Sequence, residues 1–285
     1  HDHETLSQYQ KYVRDHFLMC QGGLPETEAP LNGRVLSTQE YENFVLEKVI
    51  YESRRQVYVT CNLYRPLVQE QPCPAVLLLV GHANEGKAYP EYQQVSQMLV
   101  YAGFVVLVID PLGEGERFEH YETELDYQPI QGCSGEHDLL DWKCKLLGLS
   151  LCRYFIHDGL RGLEYLASRP EVDASRIAVT GQSGGGTQTS MLMAVAADKI
   201  AAAAPCSYTT DELAMVECGK DMDNEMMWPG ILSAGLDFVD IISVFAPKPL
   251  LLLTNRYDFF PREGTDRTLE KARRLWRQAG SEHVP

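Results

Sequence analysis

The chain is short of basic charge. Lys and Arg number 25 against 40 Asp and Glu, a formal net charge of −15. Such a surface repels phosphate backbones and anionic lipid, so nucleic acid and membrane surfaces are poor partners for it. No run of apolar residues is long enough to cross a bilayer. The eight cysteines, Cys20, Cys61, Cys73, Cys133, Cys144, Cys152, Cys206 and Cys218, contain no C-x-x-C pair and no zinc-ligand spacing. They read as reduced packing residues, which favours a cytoplasmic over a secreted setting. The first residues, His1-Asp2-His3, carry no signal-peptide pattern, and no internal repeat or low-complexity tract is present.

What is present alternates. Short unbroken apolar runs at Ala75–Val80, Val105–Ile109, Ile177–Thr180 and Leu250–Leu253 suit parallel strands buried on both faces. Between them, helical patterns run over Glu91–Ala102, Leu151–Ser168, Thr187–Ala197 and Thr265–Ala279, several stopped by Gly or Pro. Upstream lie a helical Thr5–Leu18 and two β-rich runs, Phe44–Glu52 and Gln56–Tyr64, whose spacing predicts a hairpin at a sheet edge. Strands alternating with helices predict an α/β fold with a doubly wound, mostly parallel sheet. Residues 1–40 read as an N-terminal helical extension and 41–285 as the main domain. Two stretches fit no βα unit, Glu116–Ser150 and Tyr208–Val244, and both are expected to project as insertions over the crevice at the strand ends.

The most informative segment is Gly181-Gln182-Ser183-Gly184-Gly185, a G-x-S-x-G between a buried strand and a helix. A serine hydroxyl attacks well when a sharp turn lifts it above the sheet, and glycines two positions either side remove the resulting clash. Ser183 is therefore the expected nucleophile, and Gly184, opening the helix, the first oxyanion-hole N–H. The second donor should come from the loop Gly81-His82-Ala83-Asn84-Glu85-Gly86-Lys87, with Asn84 the first choice and Ala83 the next. His82 precedes the nucleophile, the wrong chain order for a triad base, and is expected to brace its loop.

After the strand Leu250–Leu253, Asp258 sits where a carboxylate could orient an imidazole. A base would follow one more helix and strand. His283 falls at the expected start of that strand, so the triad histidine is expected beyond residue 285. His120, His137 and His157 precede the nucleophile and are assigned to surface or core roles. The run Asp221-Met222-Asp223-Asn224-Glu225 has the composition of a metal-ligand set but not the spacing of a calcium loop, and no metal ligand is assigned.

With these residues in view, the sequence resembles the acetyl xylan esterase and cephalosporin-C deacetylase group of α/β-hydrolases over roughly residues 40–285. The likeness rests on Gly81-His82 with Gly86-Lys87, on Asp110-Pro111-Leu112-Gly113-Glu114-Gly115-Glu116-Arg117, on Asp158 through Gly186, and on Ala246 through Pro261. The resemblance implies a Ser-His-Asp triad, no metal or organic cofactor, and removal of short acyl groups from carbohydrate or small-molecule esters. It implies Ser183 as nucleophile, Asp258 as acid, and Gly184 with Asn84 as oxyanion donors. Ala83 departs from the family, many of whose members have Gly there. A prolyl-oligopeptidase-like peptidase and a non-catalytic binding protein of the same fold are the alternatives. The oligomeric state is left open, a homo-oligomer included.

Overall fold

The computed structural model describes residues 3–26, 29–130, 132–220, 222–226 and 228–281. Its sheet has strands β1 (Arg34–Glu40), β2 (Phe44–Arg54), β3 (Val57–Pro66), β4 (Cys73–Leu79), β5 (Val105–Ile109), β6 (Val172–Gln182) and β7 (Ala202–Cys206). Helix α1 (His3–Cys20) precedes them. The others are α2 (Pro90–Tyr101), α3 (Gly132–Leu146), α4 (Cys152–Ser168), α5 (Gly184–Val195), α6 (Glu212–Glu217), α7 (Phe238–Ser243) and α8 (Arg262–Gln278). None of the described helices is long and apolar enough to cross a membrane.

Spatial order is β1-β2-β3-β5-β4-β6-β7. Strands β5, β4, β6 and β7 run parallel, while β1, β2 and β3 form an antiparallel margin. The apolar runs of β4 and β5 are buried on both faces, as their lack of alternation predicts. Leu77, Leu79, Leu107 and Ile109 face a core shared with Val13 and Phe17 of α1 and Leu163 and Leu166 of α4. Their neighbours Leu78, Val80, Val106 and Val108 face Tyr92 and Val100 of α2. Winding therefore reverses at β4: the chain moves one way to β5, then back across to β6 and β7. In a doubly wound sheet that reversal opens a crevice at the carboxyl ends of the two strands where it occurs. Here those ends are Leu79-Val80-Gly81 and Gly181-Gln182-Ser183.

Three expectations change. The β2–β3 hairpin is not outermost, because Arg34–Glu40, within the stretch read as a helical extension, adds β1 along it. β7 was not anticipated: Ala-Ala-Ala-Pro-Cys has weak strand propensity, and its pairing with β6 makes it a strand. Leu250–Leu253 is not a strand buried on both faces. It touches β7 through two isolated bridges, to Ala203 and Cys206, and Leu251 and Leu253 are exposed.

The first long insertion carries α3. The second carries α6, a short 3-10 turn at Asn224–Met226 and α7.

A buried polar network supports the crevice from below. Asp110, fully buried after β5, accepts from Lys87 N (2.8 Å), Thr60 Oγ1 (2.6 Å) and the Lys87 ammonium. Gly86 and Gly115, both at positive φ, lie against its carboxylate, where a Cβ on either would come within 2.3 Å of Asp110 Oδ1. The Asp110–Arg117 motif is thus a loop folded around a carboxylate. Arg117 donates to the Asp110 carbonyl (2.8 Å) and pairs with Asp158 Oδ2 at 2.8 Å, their side chains 4% and 2% exposed. Removing one partner of such a pair strands the other charge in the interior, a loss of about 3–5 kcal/mol. Asp158→Ala is therefore expected to destabilise the protein by roughly that amount in urea unfolding. A change below about 1 kcal/mol would show the pair to be screened as a surface pair is.

Candidate active site

Ser183 stands between β6 and α5 with φ 56° and ψ −119°, a backbone conformation rarely adopted by a residue with a side chain. Its surroundings hold it there. Ser183 N–H donates to the Cys206 carbonyl of β7 (2.9 Å), and Thr187 N–H donates to the Ser183 carbonyl (3.0 Å). The turn is so tight that a Cβ at Gly185 would lie 2.0 Å from the Leu79 carbonyl oxygen, and one at Gly181 2.3 Å from the same atom. Glycine is required at both positions because β4 backbone occupies the space. Ser183 itself is half-buried, and Gly184 opens α5, where the first N–H groups have no acceptor within the helix.

The loop after β4 abuts this turn. A Cβ on Gly81 would lie 3.1 Å from Gly184 N and 3.2 Å from Ser183 Cβ. Gly81 N–H is held by the Tyr92 hydroxyl at 2.7 Å. Ala83 N–H donates to Glu114 Oε2 (3.2 Å), so the second choice for an oxyanion donor already has an acceptor. Asn84 is exposed, and its contacts fasten the first insertion: its carbonyl accepts from Gly115 N (3.0 Å) and its side-chain oxygen from Cys133 N (3.1 Å).

His82 packs its ring against Gly184, with Cε1 3.5 Å and Nδ1 3.6 Å from that residue's Cβ position. Its nitrogens face carboxylates. Nε2 lies 2.7 Å from Glu225 Oε1, and Nδ1 lies 3.6 Å from Asp223 Oδ2. Burial works to lower its pKa, but Glu225, Asp223 and Glu114 together outweigh burial and raise it to about 9. Burial likewise opposes ionisation of Glu225, and His137 and His82 overcome it, lowering that carboxyl to about 2. Glu114 lacks a comparable partner, and burial pushes it well above the carboxylate range. Among the described residues, two groups bring ligand-type atoms within 4.8 Å of one another, His82 with Glu114 and His137, and His82 with Asp223 and Glu225. They come from the β4 loop, the β5 loop, α3 and the second insertion. Sequence reading assigned His137 to a surface or core role and set aside the Asp221–Glu225 run for its spacing. The set is assembled across insertions, so no linear spacing could reveal it.

Asp258 lies in the loop beyond Leu253, half-buried, with Oδ2 accepting from Asn255 N (3.1 Å) and Oδ1 from Phe260 N (3.3 Å). Asn255 donates to Ser207 Oγ (3.2 Å), and Ser207 follows the Cys206 carbonyl that anchors Ser183. The Asp258 loop and the Ser183 turn are thus joined at the same end of the sheet, through β7. His283 lies outside the described residues.

Comparison with known proteins agrees with this architecture. YtaP of Bacillus subtilis (strain 168), which carries a provisional hydrolase assignment, is 26% identical over 259 residues, covering 86% of this chain and 81% of that protein. A Bacteroides fragilis protein assigned provisionally as an acetyl xylan esterase superposes with a TM-score of 0.77 at 18% identity, over 99% of this chain and 74% of that one. A methylesterase, BT1017, superposes at 0.75 with 20% identity, over 98% of this chain, which spans 58% of its length. At these identities the structures share the α/β-hydrolase fold. Residues 35–211 match the family described as acetyl xylan esterase (AXE1), and with more than half its length in that match the chain belongs to that family of ester hydrolases.

Proposed function

We propose that the protein is a serine-dependent carboxylic-ester hydrolase that works through an acyl-enzyme and removes acetyl groups from carbohydrate or small-molecule esters. The observation that carries this reading is the strained Ser183, held at φ 56° where strand, helix and the β4 loop meet. A backbone so disfavoured persists only when its surroundings over-determine it, and such positions cluster at reacting groups.

In the mechanism, Ser183 Oγ attacks the ester carbonyl carbon while a histidine that follows Asp258 in the chain accepts the hydroxyl proton. Asp258 orients that imidazole and stabilises its charged form. The carbonyl oxygen becomes an oxyanion resting on Gly184 N–H and on a second N–H of the Gly81–Asn84 loop. Collapse expels the alcohol, which takes the proton from the imidazolium. Water, activated by the same histidine, then releases acetate and frees Ser183. His82 is not that base in this reading, because both its ring nitrogens face carboxylates.

The substrate class follows from family membership and from the charge of −15, which favours neutral esters over polyanions. A panel of acetylated xylo-oligosaccharides, methyl glucuronates and prolyl peptides tests it. Acetate release is expected to exceed turnover of the other two classes by at least tenfold in kcat/KM, about 1.4 kcal/mol of transition-state preference. Cleavage of the prolyl peptides without acetate release would replace this reading with a peptidase.

A further inference from the structure

His82, His137 and Glu225 turn three ligand-type groups toward one point. His137 Nε2 lies 2.7 Å from the Leu112 carbonyl, which can only accept, so that nitrogen carries the proton and neutral His137 presents a bare Nδ1. That lone pair faces His82 Nε2 at 3.2 Å and Glu225 Oε2 at 3.4 Å. Glu225 is 4% exposed, and neither of its buried oxygens has a donor aligned on it. An arrangement of this kind is resolved by one cation in the middle.

We propose that His82 Nε2, His137 Nδ1 and the Glu225 carboxylate bind a divalent cation of the zinc class. Ligand atoms around a tetrahedral ion with bonds of about 2.0–2.1 Å stand about 3.3 Å apart. Here the two imidazole nitrogens stand 3.2 Å apart, and the Glu225 carboxylate spans them with its two oxygens, Oε1 2.7 Å from His82 Nε2 and Oε2 3.4 Å from His137 Nδ1. Each imidazole also has an acceptor for its other nitrogen: Leu112 O for His137 and, at 3.6 Å, Asp223 for His82. That outer support fixes the tautomer a metal needs. Glu114 lies within ligand reach of the two imidazoles. Two nitrogen ligands favour zinc over calcium or magnesium, which prefer oxygen sets.

The ion ties together three parts of the chain: the β4 loop, α3 and the 3-10 turn at Asn224–Met226. It holds both insertions down on the residue that packs against Gly184. Its role is to position that loop, and it takes part in no bond-making step. The proposal does not depend on the ester chemistry.

The test is metal analysis of the full-length protein after equilibration with Zn²⁺ and dialysis, with zinc titration followed calorimetrically. Roughly one tightly held zinc per chain and a higher Tm with Zn²⁺ than with Mg²⁺ are expected. His137→Ala and the nearly isosteric Glu225→Gln should each weaken zinc binding by roughly 100-fold or more. Absence of bound zinc and of any Tm response in the wild-type protein would overturn the proposal, whatever the variants do. Zinc binding that survives both substitutions unchanged would place the ion on the cysteines and overturn it equally. Fluorophosphonate labelling of Ser183, run alongside, keeps failure of the metal site separate from failure of the ester-hydrolase reading.

Discussion

Ser183→Ala in the full-length enzyme is expected to lower kcat for p-nitrophenyl acetate by on the order of 10⁶-fold, about 8 kcal/mol of transition-state stabilisation. The size follows from what is removed. In the proposed mechanism the hydroxyl oxygen forms the bond to the acyl carbon, so no acyl-enzyme forms without it, and what remains is water attack assisted by the oxyanion donors. The fold should survive, because the strain at residue 183 comes from its backbone, and Ala keeps the same Cβ. Circular dichroism and Tm close to those of the parent would show this. Turnover within tenfold of the parent would mean that another residue attacks the ester.

Asp258→Asn is expected to cost on the order of 10⁴-fold in kcat with KM little changed. An amide fills the same space and can still accept a hydrogen bond from the turn at Asn255, whose N–H lies 3.1 Å from the carboxylate. It cannot stabilise an imidazolium, and its NH₂ favours the wrong tautomer of the base. The loss should therefore fall in the chemical step. Groups that act as one unit do not add, so the double variant Ser183→Ala, Asp258→Asn should be no slower than Ser183→Ala alone. A further loss in the double variant would show Asp258 to act independently, as a determinant of loop structure. A kcat unaffected by Asp258→Asn would remove it from the triad.

The strand–turn–helix around Ser183 was readable from sequence because its signals lie next to one another in the chain. The strand is five or so residues of apolar chain, the glycines flank the serine, and the clash they avoid involves one neighbouring strand. The parallel core was readable for the same reason: AVLLL and VVLVI announce burial on both faces without reference to their partners. β7 was not, since Ala202–Cys206 carries little strand propensity and is set by β6 beside it. Leu250–Leu253 misled in the opposite sense: its composition is that of a central strand, whereas among the described residues it lies outermost, beside β7.

Within the site, the hidden residues are charged ones. Asp110, Arg117 and Asp158 lie in motifs that sequence reading used to find the resemblance, yet their work, a buried ion network beneath the crevice, needs contacts between residues 23 to 50 positions apart. His137 and Glu225 are hidden further. Each sits in an insertion whose path over the sheet no periodicity reports, and they meet only because α3 and the second insertion fold toward His82. A cluster of charges in a stretch expected to project over the crevice was the available signal, and the Asp221–Glu225 run was such a cluster.

Incubation of the full-length protein with a fluorophosphonate, followed by intact mass and peptide mapping, tests the nucleophile most directly. The reagent captures a hydroxyl that is both exposed to the crevice and activated by its neighbours, whatever the natural substrate. One phosphonyl adduct on the peptide that holds Ser183, lost in Ser183→Ala, is the expected result. Recovery of the unmodified mass from the catalytically active protein, or an adduct mapped to any other serine, would contradict it.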